Sequence, residues 1–220
     1  MIFHIVTLFP GAFDSYLGES ILKRAIEDKK IKVKFYNPRD FAEDKWARVD
    51  RKPYGGGPGM VVQALPVARA IEKALKACGK ESIKKSAVKI IFFSPNGKRF
   101  DTAYAKTAAR KYRHVIFVCG RYEGIDARVK KMFKMGEISI GPYVLTGGEL
   151  CAMIVMDSVS RQVLGVLGNF NSLEESRIAS PDVYTRPEII EYKKRKYRVP
   201  KVLLSGDHKL IDGWRQGRGK

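Results

Sequence analysis

Short apolar runs alternate along this chain with stretches in which apolar residues recur every three or four positions. The runs are typical of strands and lie at residues 2–9, 31–35, 88–93, 115–119 and 138–145. The periodic stretches are typical of helices and lie at residues 13–26, 61–77, 101–112, 125–133 and 149–164. This alternation predicts an α/β fold in which a parallel sheet has helices on both faces.

Glycine-bearing loops follow three of the predicted strands, at residues 94–97, 120–124 and 146–148. Glycine leaves the backbone N–H groups of such a loop open to a ligand, and a helix start favours nucleotide-like groups. The carboxyl ends of parallel strands meet at one edge of a sheet. We therefore expect a nucleotide-like cofactor at this edge.

A fourth glycine cluster, residues 54–59, follows no predicted strand. Four glycines in five residues would allow close approach by a ligand or an RNA backbone. An isolated cluster of this kind is more often a surface turn, which is the interpretation we favour, and no Lys-Ser or Lys-Thr pair follows it as in a Walker loop.

The composition changes after residue 164. Residues 165–176 combine glycine, asparagine and serine without a period, which predicts a linker. Residues 177–220 contain 12 Lys and Arg against 5 Asp and Glu. The densest basic run, residues 193–198, fits either a solvated face or contact with phosphates.

The whole chain of 220 residues carries a formal net charge of +19, which favours a nucleic-acid partner over an anionic membrane surface. No uncharged apolar run is long enough to span a membrane. The three cysteines and the three histidines lie far apart along the chain, without the spacing of a disulfide framework or a zinc site. A reducing compartment is therefore expected, and hydrolysis by a nucleophilic triad has no support.

Eight short motifs follow one another along nearly the whole chain. They are LFP at 8–10, YGGGPGM at 54–60, VCGRYEGID at 118–126, YVLTGGEL at 143–150, DSVSR at 157–161, GVLG at 165–168, YTRP at 184–187 and VLLSG at 202–206. In this order they resemble the bacterial tRNA (guanine-N1)-methyltransferases, the TrmD family of the SPOUT superfamily.

The resemblance implies an enzyme that uses S-adenosylmethionine to methylate N1 of guanosine 37 in tRNA, next to the anticodon, and so maintains the reading frame. It implies a cytoplasmic homodimer whose partner is tRNA, with neither DNA nor a membrane involved. The implied domains are a catalytic domain with a C-terminal trefoil knot (1–164), a flexible linker (165–176) and a short basic helical tRNA-binding domain (177–220). Typical members continue beyond the position of Lys220, so we expect a shortened C-terminal domain.

Carried over position by position, the resemblance implies that three segments hold the cofactor. The expected residues are Phe93, Ser94, Pro95, Gly120, Arg121, Tyr122, Glu123, Gly124, Ile140, Gly141, Tyr143, Leu145, Gly147 and Gly148. They belong to the same loops that the glycine pattern indicates.

The resemblance also implies two catalytic residues. Removal of the N1 proton needs a base, and the charge that grows on O6 needs a cation. Arg161 matches the family arginine for the cation. The family pattern Glu-Asp-Ser is Glu174-Glu175-Ser176 here, so we expect Glu175 to be the base, with one methylene more than the aspartate that it replaces. Family members also use Mg²⁺ in turnover, although the sequence shows no metal-ligand cluster.

Two alternatives stay open at this point. One is a methyltransferase of the same superfamily that acts on another RNA position. The other is a non-catalytic RNA-binding relative, for which Glu175 and the short C-terminal domain are the reasons. Binding of S-adenosylmethionine would separate this relative from both enzymes, and the methylated nucleoside would separate the enzymes.

Overall fold

The computed structural model describes residues 1–79, 87–167 and 182–217. The chain forms two compact units, Met1–Leu167 and Gly168–Lys220. The strands of the first unit are β1 (Ile2–Val6), β2 (Lys32–Tyr36), β3 (Asp50–Arg51), β4 (Val61–Val62), β5 (Val88–Arg99), β6 (His114–Val118) and β7 (Gly136–Ser139). Its helices are α1 (Asp14–Leu17), α2 (Ser20–Glu27), α3 (Ala64–Ala77), α4 (Thr102–Lys111), α5 (Arg128–Phe133) and α6 (Glu149–Ser160), with 3₁₀ turns at Pro10–Phe13 and Pro38–Phe41.

Five strands form one parallel sheet in the order β2-β1-β6-β5-β7, which confirms the predicted parallel α/β sheet. The central strand β6 is buried at every residue, and four of its five residues are apolar, as a strand covered on both faces requires. The edge strand β2 instead alternates lysines with apolar residues and leaves most of its residues exposed or partly exposed.

Successive strand residues enter two different cores, because side chains alternate across a sheet. Phe3, Ile5 and Phe117 pack with α2, α4 and α6, whereas Ile116 and Val118 pack with α3 and α5. Helices therefore cover both faces. The helix α3 contributes a stripe of small and branched residues at helical spacing, Val67, Ala70, Ile71 and Ala74.

The strand β5 is longer than the sequence predicts, because it continues through the expected turn at 94–97 to Arg99. Ile138 of β7 pairs with both Phe93 and Lys98, so residues 94–97 form a bulge. A Cβ atom on Gly97 would lie 2.6 Å from the backbone nitrogen of Ile138. Glycine at this position therefore allows the bulge to lie against β7.

Other boundaries also differ from the predictions. The strand expected at 138–145 ends at Ser139, just before Gly141-Pro142, where proline cannot donate to a strand ladder. The helix expected at 13–26 is interrupted at Gly18, the C-cap of α1. The helix expected from residue 61 begins at Ala64, because β4 pairs there with β3.

The second unit contains an antiparallel hairpin, β8 (Ile189–Tyr192) and β9 (Arg195–Arg198), followed by α7 (Lys201–Leu204) and α8 (His208–Gly217). The short basic C-terminal domain, expected to be helical, thus contains a hairpin over the basic run 193–198 as well as two helices. Isoleucine and tyrosine favour strands here, and Lys193 and Lys194 both adopt positive φ in the two-residue turn.

Along the three described stretches, no helix is both long and apolar enough to cross a membrane.

Candidate functional site

One cleft lies beside the bulge of β5 and the carboxyl ends of β6 and β7, and it encloses about 230 Å³. All fourteen residues expected to hold a cofactor line it. The lining residues that are not among these fourteen are Phe92, Ile138, Ser139, Val144, Thr146 and Cys151. The cofactor role of the fourteen residues stays a prediction, whereas their assembly around one cleft is observed.

Backbone contacts hold the three segments of the cleft together. The amide of Gly148 donates to the carbonyl of Gly120 at 3.0 Å, and Arg121 forms a short antiparallel bridge with Gly147. Ser139 donates its hydroxyl to the carbonyl of Gly141 at 2.9 Å, which turns the chain sharply after β7. The loop after β7 is thus tied directly to the loop after β6.

A buried polar cluster of Thr7, Arg121 and Glu149 lies next to these loops. The sequence did not reveal it. Glu149, the first residue of α6, is 2% exposed. The hydroxyl of Thr7 donates to Glu149 Oε1 at 2.7 Å. Arg121 Nε lies 2.9 Å from Glu149 Oε2, but the N–H is not aligned with the oxygen, so the contact is an ion pair rather than a hydrogen bond.

The same cluster reaches the loop after β1. The guanidinium of Arg121 lies 4.6 Å from the centre of the Phe9 ring, and the amide of Phe9 donates to the Thr7 hydroxyl at 3.0 Å. A carboxylate at a helix N-terminus is also favoured by the helix dipole. The glycine pair before Glu149 marks this helix start, but only the fold places Thr7 against it.

The glycine cluster 54–59 divides into two parts. Gly55, Gly56 and Gly57 adopt positive φ with open space around them, as the favoured interpretation of a surface turn requires. Gly59 instead lies against Glu123, since a Cβ atom there would be 2.7 Å from the carboxylate Oε1. One end of the cluster thus contacts the cleft loop.

The cysteines near the cleft are unsuited to nucleophilic chemistry. Burial raises the pKa of the Cys119 thiol well above its usual value, and burial also raises the pKa of the Cys151 thiol. A thiolate is the reactive form of cysteine, so both side chains stay protonated and inert at neutral pH.

Arg161, one of the two expected catalytic residues, does not line this cleft in the single chain. Arg161 is the C-cap of α6, a helix of 12 residues whose first turn borders the cleft. At 1.5 Å per residue the two ends of α6 are about 18 Å apart. Glu175 lies outside the described residues.

A second cluster of chemistry-bearing side chains lies at the opposite end of the sheet. His4 and His114 are 110 residues apart along the chain, but His4 Nε2 lies 2.9 Å from His114 Nδ1. Both are buried, and the Sγ atom of Cys78 is 3.6 Å from His4 Nε2. Parallel pairing of β1 with β6 brings the histidines together, which their separation in sequence conceals.

The chain is a parallel α/β protein with a cleft at its strand ends, the position at which ligands bind in such sheets. A family model described as tRNA (Guanine-1)-methyltransferase TrmD matches residues 1–220. The chain therefore belongs to the TrmD family.

Curated relatives agree with this assignment. A tRNA (guanine-N(1)-)-methyltransferase of Nitrosococcus oceani is 44% identical over 219 residues, which cover 98% of this chain and 82% of the relative. Proteins of the same name from Caldanaerobacter subterraneus and Clostridioides difficile are 47% and 44% identical over 220 residues. These matches cover 98% of this chain and 86% and 91% of the two relatives.

Proposed function

We propose that this chain is a tRNA (guanine-N1)-methyltransferase that uses S-adenosylmethionine to methylate guanosine 37, next to the anticodon. Family membership over residues 1–220 and the names of the curated relatives support the reaction. The observation that carries the proposal for this chain is the cleft, in which all fourteen family-matched residues meet. Maintenance of the reading frame is the role that follows for such an enzyme.

The cleft has the chemical character that an adenosine-containing cofactor needs. Phe93, Ile140 and Leu145 offer apolar walls, and the glycine loops offer backbone N–H and carbonyl groups. When bound, S-adenosylmethionine would supply an electrophilic methyl group on a positively charged sulfur. Glu123, which also lines the cleft, would offer a carboxylate to that positive end.

Two residues of this chain would activate the guanine. The carboxylate of Glu175 would take the proton from N1, which frees the nitrogen lone pair for attack on the methyl group. The guanidinium of Arg161 would stabilise the negative charge that develops on O6. We assign no step to Mg²⁺, which the resemblance alone implies.

We further propose that the enzyme works as a homodimer, in which Arg161 of one protomer serves the cleft of its partner. Within one chain, Arg161 lies at the far end of α6, about 15 Å along the helix from the cleft residue Cys151. The outer face of α6 exposes Leu150 and Ile154, at 54% and 46%, although the helix is apolar on most of its surface. A second copy would cover this face and bring in the missing arginine.

The knot is likewise a proposal. Strand β7 is at the edge of the sheet and β5 separates it from β6. The segment after β7 nevertheless returns to the end of β6, where Gly148 bonds to Gly120. Such a crossing of β5 is what a trefoil knot would require of residues 140–148.

We propose the domain limits 1–164, 165–176 and 177–220, with the C-terminal domain binding tRNA. Its hairpin exposes every residue of β8 and β9, among them Arg195, Lys196 and Arg198. Exposed cations beside tyrosines suit contact with an RNA backbone. A cytoplasmic location fits this substrate, and all three cysteines, which lie in the described stretches, form no disulfide.

The reaction is tested with labelled S-adenosylmethionine and two tRNA transcripts that differ only at position 37. Label on the guanosine transcript alone, recovered as 1-methylguanosine, is the expected result. Label on both transcripts would indicate another RNA position. Label on neither, with S-adenosylmethionine still bound, would indicate a non-catalytic relative.

The shared site is tested with mixed dimers. The variant Leu145→Arg fills the cleft, and the variant Arg161→Ala removes the cation, so each alone should be inactive. Random mixing should restore about a quarter of wild-type activity, because half of the dimers are mixed and each has one complete site. No recovery, with mixed dimers verified by two different affinity tags, would refute the sharing of Arg161.

A further inference from the structure

Three side chains with metal-binding atoms converge at the amino ends of β1 and β6, away from the cleft. His4 lies within β1, His114 begins β6 and Cys78 is the C-cap of α3. Their exposures are 0%, 5% and 5%. Among the described residues they form a group whose ligand atoms all lie within 4.8 Å of one another.

The distances are close to those of a metal site. Zn–N bonds of about 2.05 Å and Zn–S bonds of about 2.3 Å place tetrahedral ligands about 3.4 Å apart for two nitrogens and about 3.6 Å for nitrogen and sulfur. His4 Nε2 and Cys78 Sγ are 3.6 Å apart. His4 Nε2 and His114 Nδ1 are 2.9 Å apart, so binding would require these rings to separate by about 0.5 Å.

Tyr36 supports the first of these ligands. Its hydroxyl lies 2.9 Å from His4 Nδ1, the ring nitrogen that faces away from the cluster. If that nitrogen carries the proton, its Nε2 lone pair points toward His114 and Cys78, as in sites where an outer partner fixes the tautomer of a histidine ligand.

We propose that His4, Cys78 and His114 bind a borderline-soft divalent ion such as Zn²⁺, which joins β1, α3 and β6. Histidine nitrogen and cysteine sulfur are the ligands that this ion prefers, and a water molecule would complete four-coordination. The thiol proton of Cys78 is released on binding and the sulfur bonds to the metal. The proton between the two imidazoles leaves to solvent, and His114 takes a proton from solvent on Nε2, so the ring stays neutral and its Nδ1 lone pair faces the metal.

The structural consequence is a link between distant parts of the chain. Cys78 is 74 residues from His4, and His114 is 110 residues from His4. A metal bound only by the folded chain adds its binding free energy to folding. At a hundredfold excess over its Kd, Zn²⁺ should raise the melting temperature of the full chain by roughly 5–10 °C.

Cobalt is the probe, because a Co²⁺–thiolate bond gives a charge-transfer absorption and tetrahedral Co²⁺ gives strong visible bands. Full-length protein is stripped with a chelator, separated from it and titrated with Co²⁺. We expect both absorptions to saturate at one equivalent per chain and to disappear when Zn²⁺ is added. Absence of these bands in the wild-type protein would overturn the proposal.

Matched variants assign the absorption to the cluster. Cys78→Ala should remove the charge-transfer band and weaken metal binding at least tenfold. Cys119→Ala, a buried cysteine packed in the other core, and His208→Ala, an exposed histidine, should leave both unchanged. An unaltered band in Cys78→Ala, or its loss in either control, would contradict the assignment.

A second variant covers the case in which Cys78→Ala does not fold. Tyr36→Phe keeps the three ligands and the ring volume but removes the outer partner of His4. It should weaken Co²⁺ binding by about tenfold to a hundredfold, the range seen when such partners are lost. Wild-type affinity in Tyr36→Phe would then overturn the proposed site.

Discussion

Replacement of Gly148 by alanine tests how closely the two cleft loops must approach. Gly148 precedes α6 with φ −82° and ψ −6°, a conformation that alanine adopts without strain. A Cβ atom there would lie 2.8 Å from the Cα atom of Cys119 and 3.1 Å from the nitrogen of Gly120. Both are backbone atoms, so no side-chain rotation can relieve the contact.

The stability loss expected for Gly148→Ala follows from these distances. Ordinary contact begins near 3.4 Å, so the two loops must separate by about 0.6 Å. The hydrogen bond from Gly148 to Gly120, now 3.0 Å, would lengthen to about 3.6 Å and be lost. Overpacking costs about 1–3 kcal/mol and the hydrogen bond about 1 kcal/mol, which predicts a loss of about 2–4 kcal/mol.

Urea denaturation and calorimetric titration with S-adenosylmethionine measure the two effects. We expect the stability loss above together with at least tenfold weaker cofactor binding, because the cleft is built from the loops that move apart. Gly120→Ala is the matched control for stability, since its Cβ atom would meet only ordinary contacts, at 3.6 Å with Phe92 and 3.7 Å with Ile125. Wild-type stability in Gly148→Ala, or an equal loss in Gly120→Ala, would refute the reasoning.

Three further predictions concern other parts of the molecule. Glu149→Gln leaves Arg121, whose side chain is 26% exposed, without its anionic partner, so the free energy of unfolding in urea should fall by about 1–3 kcal/mol. Adding Arg121→Met should recover part of this loss, and purely additive effects in the double variant would contradict the ion pair. Tyr104→Phe should stabilise the protein by about 1–3 kcal/mol at pH 7, because no described residue bonds to the buried hydroxyl. Burial raises the pKa of Tyr104 to about 12, so between pH 10 and 12 only the unfolded wild type ionises this group and the wild type should lose stability. The stability difference in favour of Tyr104→Phe should therefore grow over this range. A stability difference that stays constant with pH would argue against this burial. Lys193→Asn combined with Lys194→Gly replaces two positive-φ lysines by residues that suit the turn, so stability should rise. Binding of tRNA should weaken, and the slope of its logarithmic salt dependence should fall by about 0.7 to 0.9 for each phosphate that the variant no longer neutralises. Unchanged binding and slope would show that the hairpin does not contact tRNA.

Local patterns were sufficient for the elements of the sheet. The apolar run at 115–119 predicted the buried strand β6, and the period of residues 61–77 predicted a helix with one face in a core, which the structure has over Ala64–Ala77. The ends of these elements were less predictable. The bulge at 94–97 depends on pairing with β7, and the start of α3 depends on pairing between β3 and β4, neither of which is a local property.

The candidate site shows the same division. Glycine loops at strand ends indicated a cofactor edge, and the motifs indicated which residues to expect there, all of which line the cleft. The buried pairing of Thr7, Arg121 and Glu149 could not be seen, because it joins residues up to 142 positions apart. A carboxylate after two glycines has no local feature that distinguishes a buried ion pair from a surface charge.

The sequence by itself determined the alternation of strands and helices, the glycine loops, the basic surface and the family. These depend on the order and spacing of residues, which act through local conformation and through the burial of one face of each element. Only the tertiary structure decided that Arg161 lies at the end of α6 away from the cleft and that His4, Cys78 and His114 meet. Such contacts depend on strand order and parallel pairing, which bring together residues that no spacing along the chain relates.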